Sequence, residues 1–520
     1  MKFLFFFVYE VNLCEHSETV TFDNNQRINR KKYNLNKKNF HFTLFESIMV
    51  LVARREDEVV KPMDELSEPK SNSEKIKIIL LLAVPAMVEY FLQTVVGFVD
   101  TLFIARIGLQ EVTAVGIAGA VLAIYLALFM ALGVGTSSLV ARKLGAGNLG
   151  GARKVAQESL GFATVVAIIL SILTWFGSEF FMSLFGAEEN VVQIGSVYLK
   201  VVGGGALFLA WMTVLSSILR AGGDTKSPMK VAWIINIIHI PLNYVLIFGM
   251  GEWNGWGVEG AAWSTLLVRA VGTWLLWRYL KKSVLAISLG TLFSWDKNTK
   301  EMIYLAIPAA VERMIMRLGQ VVYFGLIVVI GTKTFAAHTI AGNIEMFSYM
   351  PGYGLALAAT TLVGHSWGAG NWREAYRYGI LTAAIGVVFM SFIGLAMFIW
   401  APWYASWFTK DPEAIEMVAI ALRIDAFAQP ALAIGLILTG ALQGLGDTKS
   451  PMYSTAIGMW AVRIVGIYFL GIYLEMGIAG IWLAIAADIA LRAVYLFFRF
   501  KSQAMQKIKL EQDRDENIFN

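Results

Sequence analysis

Shifted by 223 residues, the chain falls on a second copy of itself. AVPAMVE at 83–89 meets AIPAAVE at 306–312, IAG at 117–119 meets IAG at 340–342, and GAGN at 145–148 meets GAGN at 368–371. GDTKSPM at 223–229 recurs letter for letter at 446–452. A gapless register over that distance marks two structural units of one fold. Their shared environment follows from composition: 57% hydrophobic and 16% charged residues over 520 positions, with a mean hydropathy of +0.60, place both copies in lipid rather than water.

Apolar runs separated by polar turns predict twelve spans: 78–105, 113–140, 157–181, 191–219, 229–250, 258–280, 303–330, 335–363, 376–400, 413–442, 452–474 and 478–500. Each is long enough to cross a hydrocarbon core of about 30 Å at about 1.5 Å per residue. Six spans per copy make both copies enter from the same side, as parallel repeats about an axis along the membrane normal. The expected fold is therefore an all-α integral membrane protein, twelve transmembrane helices in two six-helix lobes. Residues 74–282 form the N-lobe, 283–302 a cytoplasmic linker, 303–500 the C-lobe and 501–520 a cytoplasmic tail. Residues 1–73, polar and Asn/Lys-rich, read as a disordered cytoplasmic extension, and Met49 offers a second candidate start beside Met1.

Orientation follows from basic residues near the spans. Lys75, Lys77, Arg142, Lys143, Arg153, Lys154, Arg220, Lys226, Lys230, Arg278, Lys281, Lys282, Arg373, Arg377, Lys449 and Lys501 fall on one side, against Arg106, Lys333 and Lys410 on the other, with Lys200 a fourth there if the fourth span starts late. Both termini are expected in the cytoplasm and the chain in the cell membrane. The single cysteine, Cys14, excludes an intrachain disulfide framework, and the modest charge of +5 implies no nucleic-acid partner.

The stretch from Pro85 to Asp100 ending in FVDT, the paired GAGN and GDTKSPM loops, and PLNYVLIFG at 241–249 together resemble the MATE (multidrug and toxic compound extrusion) transporters, over nearly all of 75–501. The resemblance implies export of cationic or amphipathic small molecules in exchange for protons or sodium ions, with access alternating across a cleft between the lobes. It also implies that the proline of the first span, here Pro85, marks a bend responding to the state of Asp100. Pro85 lacks the helical N–H, so a static kink is the plainer alternative.

Ionisable residues within spans need a reason, since each costs at least about 2.5 to 3.5 kcal/mol near the bilayer centre. Asp100 and Glu89, eleven residues apart, lie nearly on one face of the first span. A carboxylate in a poorly solvated cavity can hold a proton near neutrality or bind a hard cation through oxygen. On the fifth span the family positions that commonly carry Asn and Asp are His239 and Asn243, one turn apart and able to face the first span. Thr265 can add a hydroxyl from the sixth. Asp100, His239, Asn243 and Thr265 are thus the candidate coupling set, with a possible sodium ion at Asp100 and no other metal. His239 can equally be a packing residue.

The second copy differs, with Tyr323 where the first has Asp100. Glu89, its counterpart Glu312, Arg313 and Arg317 at i, i+4, Met346 and Tyr349 are candidates to line the substrate cleft. Mixed signs at Asp425, Arg463, Asp488 and Arg492 suggest structural salt bridges instead. GAGN is expected to end the second and eighth spans and to start a short interfacial helix; it lacks the GK[ST] end of a phosphate loop. No ATPase motif, metal-ligand cluster or catalytic triad is present, so the chain reads as no enzyme, without a cofactor beyond the coupling H+ or Na+, and working as a monomer. A flippase for a lipid-linked saccharide precursor, a related two-lobed architecture, is the alternative; it calls for a cationic cleft, to which Arg313 and Arg317 speak.

Overall fold

The computed structural model describes residues 71–288 and 296–519. The readings of 1–70, including Cys14, Met49 and the disordered extension, lie outside the described residues, as does 289–295 of the linker. Fourteen helices run in chain order: α1 Asn72–Ala105, α2 Leu109–Gly145, α3 Leu149–Ser183, α4 Glu189–Gly204, α5 Ala206–Ala221, α6 Lys226–Phe248, α7 Gly257–Lys282, α8 Lys297–Ile330, α9 Thr332–Glu345, α10 Tyr349–Gly368, α11 Trp372–Ala405, α12 Pro412–Leu445, α13 Lys449–Ile457 and α14 Gly477–Phe519. Among the described residues nine helical stretches are long and apolar enough to span a membrane, and α4 with α5 makes a tenth, bent by 46°. With α7 and the α9–α10 pair, the spans number twelve.

Local chemistry sets the boundaries. Ser71 caps α1, its hydroxyl accepting from the Glu74 N–H while the Glu74 carboxylate accepts from the Ser71 N–H, a capping box. In the two GAGN turns Gly147 and Gly370 take φ of 69° and 75°, the left-handed region that glycine enters without strain. The following asparagines cap α3 and α11, Asn148 accepting from the Gly151 N–H and Asn371 from the Glu374 N–H. Because these caps feed directly into helices of 35 and 34 residues, the expected short interfacial helix is absent: each long helix starts at the turn itself. In GDTKSPM, Asp224 and Asp447 accept from the backbones of Ser227 and Ser450. The duplication thus reaches the level of single backbone hydrogen bonds.

Three spans are interrupted. Three consecutive glycines, 203–205, let the fourth bend between α4 and α5. The eighth passes through a 3-10 turn at Met346–Ser348, and the eleventh is largely π-helical over Gly458–Ile464 and Ile467–Tyr473. Pro85 and Pro308 do not break theirs: α1 and α8 run helically through both.

Each lobe has its own apolar core, one among α2, α3 and α5, the other among α10, α11, α12 and α14. The lobes meet through α1 and α2 on one side, α8 and α10 on the other. A Cβ on Gly145 would strike the His365 carbonyl, and one on Gly368 the Arg142 carbonyl. Residues 142 and 145 are the repeat partners of 365 and 368, so this is a two-fold contact about a central axis, as parallel repeats require. Farther along, Gly354 packs on Ala83 and Met87, and Gly135 on Met302. These contacts all lie in the halves of the helices nearer the GAGN turns. Past Thr94, whose hydroxyl is 3.5 Å from the Met350 sulfur, α1 and α10 part. Gly97, Gly119, Gly325 and Gly342, in the other halves, face open space. The contacts between the lobes thus gather on the GAGN side, the arrangement that the expected cleft, open away from that face, requires.

Candidate functional site

In the N-lobe, α1 brings Asp100 against α6. Asn243 Nδ2 donates to Asp100 Oδ1 at 2.7 Å, and His239 Nε2 lies 3.4 Å from the same oxygen without a hydrogen bond of its own. His239 and Asn243 are buried, while a third of the Asp100 side chain stays accessible. Asn243 Oδ1 is buried with no donor, so Asp100 and Asn243 present two oxygens that could ligate a hard cation. Thr265 on α7 is turned to its own helix, its hydroxyl donating to the Ala261 carbonyl at 3.0 Å. One turn on, Arg269 lies within electrostatic reach of Asp100, His239 and Tyr198, and its Nη1 is buried without an acceptor. Its repeat partner Arg492 has what Arg269 lacks: Asp488 four residues earlier accepts from Arg492 Nε at 2.5 Å. The N-lobe has Thr265 there, which leaves Asp100 as the carboxylate facing Arg269.

At the level where α1 and α10 part, Glu89 takes Arg220 Nη1 at 3.0 and 3.1 Å, both residues buried. Glu312 has no such partner, because the repeat position of Arg220 holds Gln443; it accepts instead from the Thr455 hydroxyl at 3.1 Å. Arg313 beside it is half-buried and forms no ion pair among the described residues, and Arg317 reaches Gln320 on its own helix at 3.1 Å. Tyr349 donates to Glu345 at 3.1 Å and stacks on Tyr353 at 5.8 Å. Tyr353 in turn meets Tyr90 of the N-lobe at 5.6 Å. Met346 is exposed in the 3-10 turn.

Inside the C-lobe, Asp488 holds Arg463 at 2.8 Å as well as Arg492, and the Arg463 guanidinium lies over the Tyr323 ring. Asp425 accepts from Gln429 at 2.6 Å and, against the expectation of a salt bridge, forms no ion pair among the described residues. Among the described residues no three His, Cys, Asp or Glu side chains converge as a metal centre.

This two-lobed arrangement has known counterparts. The MatE family model matches residues 85–245 and again 308–469. The chain belongs to the MatE family. Its members are transporters, not enzymes, and the two matches to this MatE chain fall on the two lobes. It is 31% identical over 444 residues to the probable multidrug resistance protein NorM of Thermotoga maritima, covering 84% of this chain and 95% of that one. It is 26% identical to the uncharacterized transporter YisQ of Bacillus subtilis, covering 84% and 96%. Among solved structures, an outward-facing multidrug resistance MATE transporter of the MOP superfamily superposes with a TM-score of 0.80 at 23% identity, over 87% of this chain and 99% of that one. A MOP-superfamily transporter from Pyrococcus furiosus gives 0.79 at 23%, with the same shares covered.

Of the residues singled out in the MatE sequence, the structure gathers Asp100, Asn243 and His239 within 3.4 Å of one carboxylate oxygen, with Thr265 near but turned away. Glu89 and Glu312 are each engaged by another helix. The buried Arg220 and Lys75, and the half-buried Arg269, escaped the sequence reading as charges inside the fold. Arg220 and Lys75 sit at the basic ends of spans, where they count as loop charges. Arg269 alone had a signal: a lone arginine amid LLV and AVG in an apolar run.

Proposed function

We propose that this MatE transporter is a secondary active multidrug exporter, carrying cationic or amphipathic small molecules outward in exchange for protons or sodium ions as its lobes rock about the cleft. The GAGN face is cytoplasmic in this reading, with both termini, and the cell membrane is the site of action of a monomer. The observation that carries it is the Asp100 carboxylate, bonded at 2.7 Å by Asn243, flanked by His239 and Arg269, and a third accessible. A carboxylate between fixed polar partners and an uncompensated guanidinium changes its balance of charge when a cation or proton arrives, and α1 carries that change to the lobe contact. Relatives named as multidrug resistance proteins, at 31% identity for the Thermotoga maritima protein, support the cargo class. Asn243, where relatives carry a second acid, leaves the site with one carboxylate, which suits a proton as well as sodium.

The test is efflux of a cationic dye from everted vesicles under separately imposed proton and sodium gradients. Wild-type protein should respond to one of them, and Asp100→Asn should abolish the response at equal expression. Gradient-driven efflux that survives Asp100→Asn would remove Asp100 from the coupling step.

A further inference from the structure

The acids around the cleft are all engaged by protein donors: Glu89 by Arg220, Glu312 by Thr455, Glu345 by Tyr349, and Asp488 by Arg463 and Arg492. Among the described residues two arginines of α8 are in no ion pair, although Arg313 is within electrostatic reach of its neighbour Glu312. Arg313 has no hydrogen-bond or ion-pair acceptor among the described residues, and Arg317 has only the neutral Gln320. They stand one turn apart on α8, so their guanidinium groups can act on one ligand. Arg313 is within electrostatic reach of Tyr90 on α1 and of Tyr353 on α10, and Arg317 of Tyr353. Arg313 thus lies toward the seam between the lobes and both arginines toward Tyr353 of their own lobe, rather than toward lipid, where a charge this exposed is not sustained. Beside them Tyr90, Tyr353 and Tyr349 form a run of rings at 5.6 and 5.8 Å that crosses from one lobe to the other.

Planar guanidinium forks bind carboxylates with paired hydrogen bonds, and a tyrosine run offers faces for a flat ring. The geometry points to an anion-receiving subsite in the cleft, in which Arg313 and Arg317 hold the carboxylate of an aromatic acid while Tyr90, Tyr349 and Tyr353 pack against its ring. The inference rests on the exporter reading above and widens its cargo from cations to aromatic monocarboxylates carrying no basic group. The tyrosine that spans the lobes also places such a cargo at the hinge of the cleft, where α1 and α10 separate.

The test compares 7-hydroxycoumarin-3-carboxylate with its carboxamide, of nearly the same shape but lacking the carboxylate charge, by fluorescence anisotropy on the full-length protein in nanodiscs. Losing a charge-assisted hydrogen bond costs about tenfold or more in affinity. Wild-type protein should bind the carboxylate at least about tenfold more tightly than the amide. Arg313→Gln with Arg317→Gln should erase that preference, and Arg313→Lys with Arg317→Lys should keep part of it. Equal binding of the two coumarins by wild-type protein, or a preference that survives the double glutamine variant, overturns the subsite. Ethidium efflux under ion gradients, measured on the same variants, reports separately on the exporter reading.

Discussion

Lys75 Nζ lies 2.5 Å from a Glu374 carboxylate oxygen, joining α1 of one lobe to α11 of the other with 1% of the Lys75 side chain exposed. The Tyr378 ring covers the ammonium at 5.8 Å. Arg142 and Glu301 make a second, more open link at 3.1 Å between α2 and α8. Both tie the lobes together on the GAGN face, and in the alternating-access reading proposed above both open before the cleft faces the other way. Glu374→Gln leaves a buried ammonium without its counter-charge, a loss of about 3 to 5 kcal/mol in closed-state stability. Distances between spin labels at the ends of α2 and α10 should then shift toward a longer population. The swap of Lys75→Glu with Glu374→Lys should restore the short one; an unchanged distribution in Glu374→Gln would show that the glycine contacts alone close this face.

The pairing of Glu89 with Arg220 makes a sharper prediction, because the second lobe already contains its replacement. Glu89→Gln strands a buried guanidinium whose Nε is already without an acceptor, and should lower stability by about 3 to 5 kcal/mol. Adding Arg220→Gln removes the stranded charge and reproduces the Gln443 of the C-lobe. The double variant should recover most of the loss, a non-additivity expected of residues in direct contact. Thermal unfolding of the three proteins in detergent checks it.

These pairs mark the boundary of what the sequence can tell. The register of 223 residues made the lobes, their parallel relation and the GAGN and GDTKSPM turns legible, since each is a local pattern repeated. His239 and Asn243 were legible for the same reason: their spacing puts both on one face of a single helix. Lys75 with Glu374, and Glu89 with Arg220, join helices far apart in the chain. Nothing in either segment distinguishes such a charge from one that faces water at a helix end. The interruptions of the eighth and eleventh spans were equally hidden, because apolar runs look alike whether their backbone is α, 3-10 or π.

On the side away from the GAGN turns, Asp411 caps α12, accepting from the Glu413 N–H at 3.1 Å, and meets Lys333 at 3.2 Å. The Lys333 ammonium first of all, helped by this backbone donor, holds its carboxyl below the ordinary aspartate range against an opposing desolvation. A folded value below the unfolded one, about 3.9, means the cap is stabilising at neutral pH and loses that contribution as pH falls through the lowered value. Carboxyl-carbon NMR should find the Asp411 midpoint below the ordinary range, and Lys333→Met should move it back up. Both side chains are largely exposed, so the melting temperature at neutral pH should change little.

Arg269 and Arg492 occupy the same place in the two lobes, yet Arg492 is neutralised by Asp488 on its own helix while the position one turn before Arg269 is Thr265. The sequence difference is one residue, and its consequence is that Arg269 turns its field on Asp100. Thr265→Asp would give the N-lobe the C-lobe's arrangement. Pairing the buried Nη1 of Arg269 should raise stability by about 1 to 3 kcal/mol, the usual penalty of such an unsatisfied group. The same change draws the Arg269 charge away from Asp100, so, if Asp100 couples transport as proposed, gradient-driven dye efflux should fall. A protein that is more stable and less active is the expected result, read by thermal unfolding and vesicle efflux on one preparation. Unchanged efflux with raised stability would show that Arg269 serves packing alone and has no part in the chemistry of Asp100.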